Sequence, residues 1–199
     1  EAKASFLSPH EIQAGDQVLQ AGRVIIATGS VPYHVPIPGL EETGYLTSDQ
    51  ALDLRDQPES MLVLGGGPVA IELAQFFNRI GTRVTLIQRS QHLLSGMDED
   101  LARPLEHRLR EEGMVVYTGT RLHHFTRDGR LATAHFSHAG AAKTASAAVV
   151  LQALGRRPNL DPLNLKAAGI HPKDGRILVD PQMRTSQPHI FAVGDASGL

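Results

Sequence analysis

Four apolar residues, Met61-Leu62-Val63-Leu64, run without a break into Gly65-Gly66-Gly67-Pro68-Val69-Ala70-Ile71-Glu72. This order predicts a buried strand, a tight turn and the first turns of a helix. Gly65 lets the chain turn sharply out of the strand, and Gly67 keeps the backbone clear of any side chain. Ala70 is small enough for the helix to lie close on the strand. A helix starting here presents unpaired N–H groups and the positive end of its dipole. The Gly-x-Gly-x-x-Ala spacing in this setting therefore reads as the cradle for the pyrophosphate of a dinucleotide. Three consecutive glycines also occur in plain loops; the strand before and the helix after argue against that.

The stretch from about Pro58 to Leu154 goes on alternating strands and helices. Val69, Leu73, Phe76, Phe77 and Ile80 keep the spacing of one helix face, and Gly81 sits where a C-terminal cap belongs. Arg83–Ile87 then reads as a second buried strand, which completes strand, helix, strand in the length a parallel pair needs. Asp98 is placed to cap a second helix with Leu101, Leu105 and Leu109 as its apolar stripe. Gly113 ends that helix and Met114–Tyr117 supplies a third strand. From Arg121 to Ala148 the chain reads as short β-pieces, broken by the hairpin signal Arg127-Asp128-Gly129-Arg130. Ala147-Ala148-Val149-Val150-Leu151 returns as a further strand. The fold class is α/β: a βαβ dinucleotide-binding domain with a parallel sheet and a β-meander.

Two flanks remain. The first contains Arg23-Val24-Ile25-Ile26-Ala27-Thr28-Gly29-Ser30, a strand entering a glycine turn, and then a linker with Pro32, Pro36 and Pro38. The second contains Arg176–Asp180 and Ile190–Asp195. One domain inserted into another explains this order, with segments 1–45 and 155–199 belonging to the host and 46–154 to the insert. Val24–Ala27 and Phe191–Val193, without their sheet partners, are expected to be partly disordered, re-paired with each other, or paired between molecules. Glu1 in place of Met and the loop-like end of the chain lead to the expectation of a piece of a longer protein.

Composition narrows the partners. A formal charge of −2 gives no general attraction to nucleic acid or to an anionic membrane, and no apolar run is long enough to span a bilayer. The chain has no cysteine, which excludes disulfides, thiolate zinc sites and thiol chemistry within these residues. Ten histidines raise the question of a metal. Adjacent residues on a strand point to opposite faces, so His123 and His124 cannot chelate one ion, and no other histidine has a zinc-ligand spacing. No metal is expected.

Four landmarks occur in order: Ile26-Ala27-Thr28-Gly29-Ser30, the Gly65–Glu72 turn, Ala153-Leu154-Gly155-Arg156-Arg157-Pro158-Asn159, and Phe191-Ala192-Val193-Gly194-Asp195. With them the chain resembles the class I pyridine nucleotide–disulfide oxidoreductases, the family of dihydrolipoamide dehydrogenase, glutathione reductase and mercuric reductase. Pro68–Gln75 together with Gln88-Arg89-Ser90 looks most like the mercuric reductase branch. The resemblance implies an inserted domain for NAD(P)H between segments of an FAD domain. The parent enzyme would be a cytoplasmic homodimer that also carries the rest of the FAD domain, a redox cysteine pair and a dimerisation domain. Hydride would pass from nicotinamide to flavin in that parent, and the chain alone is expected to be inactive, with no catalytic residue of its own. Two alternatives stay open: a related flavoprotein NAD(P)H oxidase or reductase without a redox disulfide, and a non-catalytic nucleotide-binding module.

The resemblance also implies roles for single residues. Asp195 would accept hydrogen bonds from the ribityl chain of FAD, with Gly194 admitting the cofactor to the backbone and Thr28 and Gly29 nearby. Gly155 would line the nucleotide cleft, and Glu72, in the first helical turn, would contact the nicotinamide carboxamide. Pro68, beside Val69 in that turn, replaces a tyrosine that serves other members as a lid. Gln88 ends the second strand where an NAD site places a carboxylate for the ribose 2′-hydroxyl. Gln88 carries no charge, and Arg89 next to it suits a 2′-phosphate. NADP is the expected ligand of the insert, with NAD left open, and FAD that of the full-length parent.

Overall fold

The computed structural model describes residues 2–198. Glu1 and Leu199, on which the reading of the chain's ends partly turned, lie outside the described residues. The chain forms two compact units, one built from residues up to Val31 together with those from Arg156 onward, the other from Pro32–Gly155.

The discontinuous unit starts with an antiparallel sheet of β1 (Ala4–Phe6), β2 (Glu11–Ala14) and β3 (Gln17–Gln20). β4 (Val24–Ile26) and β5 (Ser30–Pro32) follow. In the continuous unit, α1 (Leu40–Thr43) and α2 (Ser48–Leu52) precede β6 (Ser60–Leu64), α3 (Pro68–Arg79), β7 (Arg83–Ile87), α4 (Glu99–Glu111) and β8 (Val115–Tyr117). A meander of β9 (Arg121–Asp128), β10 (Leu131–His138) and β11 (Ala141–Ala147) leads into β12 (Val149–Gln152). The chain then returns to the first unit with β13 (Arg156–Pro158), paired with β5, and β14 (Ile190–Ala192).

The centre of the continuous unit is a parallel sheet in the order β12-β6-β7-β8. All five residues of β6 are buried, because both faces of the sheet are covered. Side chains alternate along a strand, so Met61 and Val63 join Ala70, Leu73, Phe77, Leu86 and Leu109 in a core on the helix side. Leu62 and Leu64 join Phe125, Ala134, Phe136 and Val150 on the meander side. The expected α/β class, with parallel sheet and meander, is the fold observed.

Several local expectations need correction. α3 buries Ala70, Ile71, Leu73, Ala74 and Phe77, whereas Val69, Phe76 (52% exposed) and Ile80 (45% exposed) face outward. Close packing on β6 selects the face carrying two alanines, one residue round from the stripe of larger side chains. In α4 the buried residues are Ala102, Glu106 and Leu109, while Leu101 is 63% exposed; Asp98 occupies the N-cap but its side chain makes no capping hydrogen bond. The meander strands are long rather than short. Their second hairpin turns at Ala139 (φ +48) and Gly140 (φ +77), a left-handed pair that alanine does not advertise in a sequence. Of the three outcomes foreseen for the flanking strands, re-pairing holds: β4 and β14 lie parallel, Ile25 opposite Phe191. Arg176–Asp180 forms no strand, only an isolated bridge from Arg176 to Lys173.

Glu112 ties the ends of α3 and α4 together. Its carboxylate accepts from Arg79 Nη2 at 2.7 Å, Arg79 Nε and Arg108 Nε at 3.0 Å, and Gln75 Nε2 at 3.1 Å. The hydrogen-bonded Arg79 guanidinium is the main cause that lowers its pKa from 4.5 to about 2. A carboxyl group that is more acidic in the folded chain stabilises the fold above its unfolded pKa and loses that contribution as pH falls toward 2. Thermal melts from pH 6 to 2 are expected to show Tm dropping below about pH 4.5, the ordinary glutamate range, and Glu112→Gln should flatten that part of the profile.

Candidate functional site

The first cluster stands at the carboxyl ends of β6, β7 and β12. From β6 through α3, β7 and α4 to β8 the sheet grows in one direction, and β12 joins on the other side of β6. The order reverses at β6, and in open parallel sheets the crevice at such a reversal is where ligands bind.

Its glycines are there for different reasons. Gly65 donates its N–H to Ile87 O at 3.0 Å and has φ +120, and a Cβ there would run into the carbonyl oxygen of Ala153. Both the conformation and the close approach exclude a side chain. Gly66 accepts from Leu94 N–H at 2.7 Å, and a Cβ on it would come within 2.9 Å of Gln88 and Leu93. Gly67 differs. Its φ of −82 suits any residue, and a Cβ on it would meet no atom within 4 Å. Nothing inside the protein requires glycine at 67.

Gly67 is the N-cap of α3 and offers no side-chain cap. Pro68 has no N–H to satisfy, and the first helical bond runs from Ile71 N–H to Gly67 O at 3.1 Å. The N–H groups of Val69 and Ala70 precede it and, as donors of a helix start, find no hydrogen-bond acceptor among the described residues. Ala70 is fully buried, 3.6 Å from the Cβ position of Gly65, which is the close helix-to-strand packing expected of a small residue. Glu72 is exposed and stands in the second turn, not the first.

Gln88 is 9% exposed at the end of β7. Its N–H donates to Tyr117 O at 2.8 Å, its carbonyl accepts from Thr120, and its Oε1 accepts from Arg89 N–H at 3.0 Å. The Arg89 side chain is exposed, and no described residue forms a hydrogen bond or ion pair with its guanidinium. Leu94, in the loop that follows, is left-handed at φ +50. Gly155 lies just past β12, exposed, at φ +126, and its carbonyl accepts from Tyr33 N–H at 2.9 Å.

The second cluster belongs to the discontinuous unit. Val193 N–H donates to Ile26 O at 3.0 Å, so Thr28-Gly29 and Gly194-Asp195 leave the parallel pair side by side. Gly29 (φ +63) and Gly194 (φ +61) need the left-handed region, with open space where their side chains would be. Ser30 Oγ donates to Asp195 Oδ2 and accepts from Arg156 Nε at 2.8 Å, while Arg156 Nη2 donates to Ser30 O at 2.9 Å. The sequence offers Ser30 only as part of a landmark and Arg156 only as an interdomain or surface contact. Their role as a buttress for Asp195, 165 residues from Ser30, leaves no local signal.

His123 and His124 part as adjacent strand residues do: His123 Nε2 lies 2.7 Å from Ser137 Oγ and His124 stacks on His135 at 4.2 Å. Among the described residues no group of three or more His, Cys, Asp or Glu is gathered. Among them, too, no helix is long and apolar enough to cross a membrane.

A parallel sheet with a glycine turn at its reversal point and a second strand pair ending in Gly-Asp are features of a dinucleotide-binding class of fold. The chain belongs to the pyridine nucleotide–disulphide oxidoreductase family, whose family model matches residues 1–198. It is 36% identical to mercuric reductase of Staphylococcus aureus over 196 residues, 98% of this chain and 36% of that protein. It is also 36% identical to dihydrolipoyl dehydrogenase of Bacillus subtilis, over 98% of this chain and 43% of that one. Among solved structures, the HOCl-induced flavoprotein disulfide reductase RclA of Escherichia coli matches with a TM-score of 0.90 and 26% identity, covering all of this chain and 46% of its own. The chain thus spans less than half the length of these relatives.

The two outer glycines of the turn should separate in stability. Gly65→Ala is expected to cost about 2 kcal/mol or more, from forced left-handed backbone and the clash with Ala153. Gly67→Ala should stay within about 1 kcal/mol of wild type. Urea unfolding of the two variants measures both.

Proposed function

We propose that segment 46–154 is the NADPH-binding domain, and 1–45 with 155–199 the FAD-domain segments, of a flavin-dependent pyridine nucleotide–disulfide oxidoreductase. The observation that carries this reading is Gly67, a glycine with an ordinary φ and empty space before it. Its lack of a side chain makes sense if another molecule approaches the backbone there. The N–H groups of Val69 and Ala70 suit the pyrophosphate of a dinucleotide. Gln88 adds no charge to repel a 2′-phosphate, and the Arg89 guanidinium, with no partner among the described residues, suits it as a charge-assisted donor. NADPH is therefore preferred over NADH. Glu72, in the second turn of α3, is read as the contact for the carboxamide, and Pro68 and Gly155 as residues bordering the same nucleotide.

In the discontinuous unit Asp195, held by Ser30, is offered to the hydroxyl groups of a ribityl chain, with Gly194, Gly29 and Thr28 leaving room at the backbone. When bound, the reduced nicotinamide supplies a hydride and the flavin accepts it. The chain's own part is to bind and orient the two cofactors, and without a cysteine pair it passes electrons no further. Turnover by the isolated chain is not expected, and the parent enzyme is read as a homodimer most like mercuric reductase or dihydrolipoamide dehydrogenase.

Calorimetric titration tests the nucleotide assignment. Wild-type protein should bind NADPH more tightly than NADH. Arg89→Glu should weaken NADPH by about 10- to 100-fold, the range of a lost charge-assisted hydrogen bond, and leave NADH unchanged or improved. Equal affinities for both nucleotides in the wild type, with no effect of the substitution, would defeat the assignment.

A further inference from the structure

Between Gln88 and α4 the chain forms a strap, residues 91–97, tied to the glycine turn on one side and to α4 on the other. Leu94 N–H donates to Gly66 O at 2.7 Å, and Met97 N–H closes back on Leu94 O at 2.7 Å. Leu94 holds φ +50, a conformation that a residue with a Cβ does not choose by itself. Its neighbour supplies the anchor. Leu93 is fully buried and its N–H donates to Glu106 Oε1 at 2.8 Å. Glu106 is 9% exposed and receives Arg110 Nη1 at 3.3 Å, and Arg110 Nη2 reaches Val116 O in β8 at 3.2 Å. One continuous line of hydrogen-bonded groups thus runs from β8 through Arg110, Glu106 and the strap to Gly66.

The end of that line decides a direction. The carbonyl of Gly66 and the N–H of Gly67 belong to one planar, trans peptide unit and point opposite ways. With the carbonyl tied to the strap, the Gly67 N–H is aimed away from it. An untethered Gly-Gly peptide rotates freely, and ordering it would subtract from any binding energy. We propose that Glu106 is a positioning residue for the phosphate-binding turn: through Leu93 and Leu94 it holds the Gly66–Gly67 peptide with its N–H ready for a pyrophosphate oxygen. This rests on the nucleotide reading above and adds the device that presets the turn.

NADPH titration with an NMR readout of the Gly67 amide in ¹⁵N-labelled protein tests it. Three variants are compared: Glu106→Ala, Glu106→Gln, and protein in which Leu94 is replaced by its α-hydroxy acid, an ester that removes the Leu94 N–H alone. Kd for NADPH is expected to rise about tenfold in Glu106→Ala and in the ester, the effect of one hydrogen bond. Glu106→Gln, whose amide oxygen still accepts, should stay within about twofold. The free Gly67 resonance should broaden in the two weakened proteins and remain sharp in Glu106→Gln, which a loss of general stability would not reproduce. Should Glu106→Ala fail to fold, the ester decides. Affinity within twofold of wild type in the ester, or equal loss in Glu106→Gln and Glu106→Ala, overturns the proposal. Wild-type protein that takes up no NADPH overturns the nucleotide reading and this proposal with it.

Discussion

The carboxyl edge of the parallel sheet depends on how closely β6 approaches β12 at Gly65. The Gly65 N–H is tied to Ile87 of β7, Ala153 N–H donates to Leu64 O at 2.9 Å, and the Ala153 carbonyl fills the space where a side chain would stand. The strand end is clamped between both neighbours before the helix begins. Given that clamp, the start of α3, the buried amide of Gln88 and the strap around Leu93 have little freedom left. Packing inside the protein has done the ordering that a ligand would otherwise have to impose.

How much of this could be read from the residues depends on how local each cause is. Strand, glycine turn, helix and second strand were legible because each rests on neighbours within a few positions. Gly65 and Ala70 were legible for the same reason. The outward turn of Phe76 and Ile80 was not, since large apolar side chains at helical spacing say that a helix has a stripe but not which stripe meets the sheet. Ala70 and Ala74 decided that, through the shape of the surface they met. Leu94 at φ +50 is invisible to any rule that assigns left-handed backbone to glycine or asparagine, and the contacts on either side of it, Leu93 N–H to Glu106 and Leu94 N–H to Gly66, reach residues 13 and 28 positions away. The Ser30–Asp195 contact needs the pairing of β4 with β14, which the sequence left as one of three outcomes.

The two clusters differ in chemistry as well as position. The turn at β6 presents N–H donors and leaves Arg89 beside it with no described partner, a setting for anionic oxygen. The turns after β4 and β14 present a carboxylate already holding one hydroxyl, that of Ser30, a setting for further hydroxyl groups. In the proposed reading these are the phosphate end of one dinucleotide and the polyol chain of another. Both use glycines with empty space before them, whereas Gly65 and Gly66 face protein.

Tyr33 and Gly155, joined by a hydrogen bond at 2.9 Å, mark the two ends of the continuous unit. That contact bears on the entropy of closing the other unit. Closing β4 onto β14 in a shapeless chain would mean drawing a loop of some 165 residues shut, at a length-dependent entropic cost of about 4–5 kcal/mol. Once the middle of the chain has folded, its two exits lie side by side, and the loop left to close shrinks to residues 27–32 and 156–189, about 40 in all, which lowers that cost by about 1 kcal/mol. The strand synthesised early pairs with one synthesised late, and the intervening unit, once folded, shortens the gap between them.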